Sequence, residues 1–120
     1  MSILQRLFGK RAAGPKSADT SSQAVLVFLD GQGLPDDVYR DNDLATLEDH
    51  LLEAIQAGAL GEFDGNEIGP AETTLYLYGP DAERLFSGIE STLRGHPLCQ
   101  NARVVIRYGG PGAEQREIRL

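Results

Sequence analysis

At 120 residues, with 41% hydrophobic and 24% charged side chains, the chain suits one compact domain able to bury its own core. Its single cysteine, Cys99, excludes an internal disulfide, and no apolar run approaches the ~20 residues of a membrane span. The formal net charge is -7, and residues 1–22 hold Arg6, Lys10, Arg11 and Lys16 against Asp19 alone, so the acid is concentrated in the rest of the chain and repels nucleic-acid phosphate.

Residues 1–22 read as a flexible basic tail and linker ahead of a single α+β domain over 23–120. Ile3, Leu4, Leu7 and Phe8 fall at helical spacing beside Arg6, Lys10 and Arg11, a pattern suited to contact with an anionic membrane surface. AAGPKSADTSSQ is linker chemistry. The run AVLVFL, residues 24–29, predicts a central strand apolar on both faces. DGQGLPDD then predicts a loop. Asn42 or Asp43 can cap a helix whose stripe is Leu44, Leu47, Leu51 and Ile55, with Gly58 as its stop. TTLYLYG, residues 73–79, alternates as a strand. Pro80 or Asp81 opens a second helix with Leu85, Phe86, Ile89 and Leu93 as its stripe. ARVVIRY is a further strand, GGPG a turn, and EQREIRL a charged edge strand.

This order predicts a ferredoxin-like βαββαβ antiparallel sheet with two helices on one face and an extra C-terminal strand. The strand before residue 73 must come from the glycine-broken stretch GEFDGNEIG, residues 61–69. Two helices on one face leave the other open. Strand one is apolar on both faces, Val25, Val27 and Leu29 against Leu26 and Phe28, and Tyr76 and Tyr78 add aromatic surface to one side of the sheet. If that side is the open one, it exposes a sizeable patch, an interface unless the linker or the C-terminal strand covers it.

GEFDGNEIG carries Glu62, Asp64, Asn66 and Glu67, but it lacks the spacing of an EF-hand. A turn or a bulge at Gly65 is the expectation, with no metal site. Asp64 and Glu67, three apart on an extended strand, face opposite sides and make a poor acid–base pair. DGQG, residues 30–33, fails as a phosphate loop because the glycine pattern is incomplete and Asp36 and Asp37 follow. His50 and His96 have no metal-ligand spacing, and Cys99 reads as a quiet buried thiol.

The combination GEFDGNEIG, LYLYGPDAERLF and IRYG, ending in REIRL, resembles a family of small bacterial proteins with a GExDGxE…YGPDAxxLF…RYG pattern and no established function. It covers residues 24–120, most specifically Gly61, Asp64, Gly65 and Glu67, then Tyr78, Gly79, Asp81 and Phe86. The resemblance implies a shared fold and assigns no activity. In size and acidity the chain is also similar to immunity proteins of bacterial toxin systems, a likeness of composition alone.

The functional expectation is a non-catalytic module in the bacterial cytoplasm that binds a basic protein partner, with no cofactor, metal or nucleic acid. Asp36, Asp37, Asp64 and Glu67 are the candidate acidic contacts, and Tyr76 and Tyr78 the aromatic anchors. A homodimer through the open sheet face is a second partner expectation. The alternatives are a dimeric sensor of a small ligand and, last, a small enzyme, since no nucleophile–base set stands out.

Overall fold

The computed structural model describes residues 22–120. The expectations for the basic tail, its membrane contact and its linker fall before that point, outside the described residues. The first strand, β1 (Gln23–Asp30), carries the apolar run. A short helix, α1 (Asp36–Asp41), follows where the sequence predicts only loop. Asp36 and Asp37 occupy its first turn, where negative charge favours the exposed amides.

The second helix, α2 (Leu44–Gly58), starts at Asp43, whose carboxylate accepts from the Thr46 amide. Leu47, Leu51 and Ile55 are buried. Gly58 is its last residue, but the left-handed cap conformation falls on Ala59, held as the Leu60 amide reaches the Ile55 carbonyl. GEFDGNEIG becomes a strand, β2 (Glu62–Ile68), and β3 (Glu72–Gly79) pairs back against it. Asp81 caps the third helix, α3 (Ala82–Gly95), through the Arg84 amide. A 3-10 turn (Pro97–Cys99) leads to β4 (Arg103–Arg107), and β5 (Gln115–Arg119) closes the chain.

The result is an α+β architecture with three helices and one open, five-stranded antiparallel sheet in the order β2-β3-β1-β4-β5. This is not the four-strand ferredoxin-like order, because β5 pairs with β4 and becomes the edge. The C-terminal strand therefore widens the sheet and does not cover its open face.

One face holds the core. Val25 and Val27 from β1, Leu75 and Leu77 from β3, and Val104 and Ile106 from β4 pack under Leu47, Leu51, Leu85, Ile89 and Leu93 of α2 and α3. Each such side chain contributes about 1.5–3 kcal/mol on leaving water. No polar or charged residue is buried among the described residues. The edge strand β5 is fastened to the same side by Arg116, which donates to both carboxylate oxygens of Glu83 on α3 at 2.7 and 2.8 Å. Tyr108 donates to the same carboxylate.

Candidate functional site: the open sheet face

The register fixes which side chains share the face away from the helices. Ala24, Leu26 and Phe28 of β1 stand opposite Tyr78, Tyr76 and Thr74 of β3. On their other side they stand opposite Arg107, Val105 and Arg103 of β4. Arg119 and Glu117 continue the rows onto β5. The expected aromatic surface is therefore there, but its members are not equally accessible. Tyr76, Leu26 and Phe28 are half-buried, whereas Tyr78 retains only 6% exposure. Tyr78 is a floor of the face and not a protruding anchor. Arg103 lies over the Phe28 ring, 4.1 Å from its centroid, a cation–π contact that shields the ring.

The acidic row on β2 depends on one irregularity. Pairing runs from Phe63↔Leu77 to Asn66↔Leu75, three residues on β2 against two on β3. The extra residue is accommodated at Gly65, whose φ of 101° is open to glycine and strained for other residues. Strict alternation would put Glu67 on the opposite side from Asp64. The bulge resets the alternation, so Glu67 pairs with Thr74 and joins Glu62, opposite Tyr78, on the open face. The sequence-based expectation that Asp64 and Glu67 face opposite sides is thus corrected by one inserted residue. Asn66 turns the other way and donates to Glu48 of α2.

Electrostatics ties this row to the tyrosines. The Tyr76 hydroxyl donates to Glu67 Oε1 at 2.8 Å. Burial, then that carboxylate, pushes the Tyr76 phenol up to about 12. Burial also raises Tyr78, and the nearby Asp64 and Glu62 carboxylates add to this while Arg107 opposes them. Four of the six candidate residues, Asp64, Glu67, Tyr76 and Tyr78, are therefore neighbours. Asp36 and Asp37 are not among them. Their helix packs against the 3-10 turn after α3, and Tyr39 ties it to the end of β1 through the Asp30 carbonyl.

Sequence reasoning missed the basic half of the face. Arg103 pairs with Glu72 at 3.3 Å, Arg107 donates to the Gly109 carbonyl, and Arg119 donates to the Asn101 carbonyl. The signal was present as alternate positions of RVVIR and QREIR, but it needed the strand register to place it on the same side as Tyr76. No protein-family model matches the chain, and no curated protein or solved structure matches it either.

Other candidate chemistry resolves locally. Asp30 Oδ1 accepts from the Gln32 and Gly33 amides, so the donors that a phosphate loop would offer are already occupied. Burial pushes the Cys99 thiol up to about 12, which leaves it without thiolate near neutrality. His50 and His96, distant in sequence, meet in a shallow groove of about 500 Å³ between α2 and α3, with Glu53, Ser91 and Thr92. His96 Nδ1 accepts from the Leu98 amide, and burial followed by the neighbouring His50 lowers its pKa. Among the described residues no His, Cys, Asp and Glu group is arranged to hold a metal ion, and no helix is long and apolar enough to cross a membrane.

Proposed function

We propose that the chain is a non-catalytic protein-binding module that uses its open sheet face to engage a basic segment of a protein partner. The observation that carries this reading is the Gly65 bulge, which aligns the acids of β2 beside Tyr76 and Tyr78. A half-buried apolar strip bordered by charge has the composition of a recognition patch, in which the apolar part supplies affinity and the acids supply orientation and rate. Asp36 and Asp37 stay outside this site, at the far end of β1. A bacterial cytoplasmic location goes with the reading.

The fold assignment that accompanies it is a ferredoxin-like variant. Without β5, the order β2-β3-β1-β4 and the helices α2 and α3 follow the split βαβ pattern, and β5 is an addition at one edge. A second reading, a small-ligand sensor, is favoured by the groove that joins His50 and His96. An enzyme ranks last, since among the described residues no hydrogen bond joins Ser91 or Thr92 to either imidazole.

The test is capture from lysate at low and moderate salt, with wild type and with Glu62, Asp64 and Glu67 all changed to Lys. A basic partner captured by wild type, released by salt and lost in the variant supports the reading. A partner retained equally by the variant removes the acidic row from the interface.

A further inference from the structure

The open face is electrostatically two-sided, and the two sides match each other. Its β2–β3 half carries Glu62, Asp64, Glu67 and Glu72. Its β4–β5 half carries Arg103, Arg107 and Arg119 against Glu117. Leu26 and Phe28 lie on the central strand between them. We infer that the occupant of this face is a second copy of the chain, joined by a two-fold axis parallel to β1. The inference rests on the reading of the open face as a binding surface and names the partner for it.

The axis follows from charge. A two-fold across the strands would lay β2 on the partner's β2 and repeat the acidic row against itself. A two-fold along the strands lays β2 over the partner's β5 and β3 over the partner's β4. In that arrangement the row containing Glu67 meets the row containing Arg119, and Tyr76 meets Val105. Leu26 and Phe28 of β1 meet their own counterparts, as an isologous interface requires. Strand directions stay aligned, the usual geometry for two packed sheets. Glu117 is the one like-charged element on the basic half, and Arg103 of its own chain lies 3.9 Å from it.

The size of the face sets the strength. Five strands spaced about 4.8 Å apart, with five to eight residues each at about 3.3 Å, give roughly 20 Å by 20 Å. Twice that area, roughly 800 Å², lies below the ~1,200 Å² at which stable specific interfaces begin and in the range of weak, transient ones, so the dimer is reversible and responds to concentration and salt. Neither sheet edge offers a better contact. β2 is kinked by its bulge, and β5 presents Gln115, Arg116, Glu117 and Arg119, both devices that discourage edge pairing.

The experiment is sedimentation velocity on the full chain over a wide concentration range, with two charge-reversed variants. One carries Glu62→Lys and Glu67→Lys; the other carries Arg107→Glu and Arg119→Glu. Circular dichroism and melting checks that both fold. Wild type is expected to show a monomer–dimer equilibrium that shifts to monomer with salt. Each variant alone should dimerise at least about tenfold more weakly, because Glu67→Lys places a cation against the partner's Arg119, and Arg119→Glu places an anion against the partner's Glu67. An equimolar mixture of the two should recover a dimer containing one copy of each.

A wild type that stays monomeric throughout overturns the inference, as does a dimer that both variants retain. If such a monomer still captures a basic protein through Glu62, Asp64 and Glu67, the binding-module reading stands and only the second copy is excluded. The face would then belong to that partner or to the chain's own basic residues before position 22. If capture fails as well, both fall.

Discussion

Gly61→Ala should be among the most damaging single-methyl changes in the chain, and comparison with Gly65→Ala isolates why. Both glycines have positive φ, 142° and 101°. At Gly65 an added Cβ meets nothing within 4 Å, so its cost is backbone strain alone, about 1–3 kcal/mol. At Gly61 the same atom collides with the Tyr78 carbonyl oxygen and comes within 2.8 Å of Gly79 Cα. The backbone there must separate from β3, which disrupts the start of the ladder where Glu62 pairs with Tyr78. Losing one or two backbone hydrogen bonds at about 0.5–1.5 kcal/mol each, on top of the strain, gives a total of roughly 2–5 kcal/mol. Urea unfolding followed by circular dichroism measures this as a lower midpoint at unchanged slope. Gly95→Ala, with open space around its Cβ and no positive φ, is the control and should change little. Equal losses at Gly61 and Gly65 would refute the reasoning, because close approach to β3 would then contribute nothing.

Arg116 first, then Tyr108, holds the Glu83 carboxyl down to about 2 from its ordinary 4.5. Because the folded value is depressed, the stabilisation is complete above about 4.5 and is lost as pH falls toward about 2. Glu83→Gln should therefore flatten the acid limb of stability against pH, and identical limbs in both proteins would discount the clamp. The Tyr76 phenol should ionise only near 12, well above free tyrosine, in an absorbance titration. Its raised value means that stability is intact below about 10 and declines as pH rises toward 12. Glu67→Gln should bring the transition down by removing the carboxylate, and no movement would argue against the Tyr76–Glu67 hydrogen bond. Cys99 should resist a thiol reagent in the native protein at mildly alkaline pH and react on unfolding in urea; rapid native labelling would contradict its burial.

Most of the helix layer was legible because its signals are local. Leu47, Leu51 and Ile55, and Leu85, Phe86, Ile89 and Leu93, recur at helical spacing, and each of those residues is buried. The helix starts were readable to within one residue, as Asn42 or Asp43 and as Pro80 or Asp81, and the caps fall on Asp43 and Asp81. The short helix α1 was not legible, because Pro35 and two aspartates fit both a turn and a first helical turn, and it buries no residue to give a stripe. The order of the sheet was harder still. β5 follows β4 through a turn that signals a hairpin, but the edge it occupies is fixed by pairing across the sheet. The candidate site failed at one point for a specific reason. Period-two reasoning on GEFDGNEIG assumes an unbroken strand, and a single glycine shifted the phase for every residue after it.

The two faces of the sheet divide the work of folding and binding, which makes the charge-reversal experiments interpretable. The helix-side core is purely apolar among the described residues, so the fold does not depend on ion pairs inside it. The open face, by contrast, holds its polar groups at the surface and already engaged: Tyr76 with Glu67, Arg103 with Phe28 and Glu72, Arg107 with the Gly109 carbonyl. These contacts restrict rotamers before any partner arrives, so association has less side-chain ordering left to accomplish. Glu67 and Arg107 each hold one such hydrogen bond at the surface, worth only about 0.5–1.5 kcal/mol. Reversing a charge on Glu67 or Arg107 should therefore leave the melting temperature close to wild type while it changes recognition. A melting temperature that dropped with each reversal would place these residues among the determinants of the fold instead.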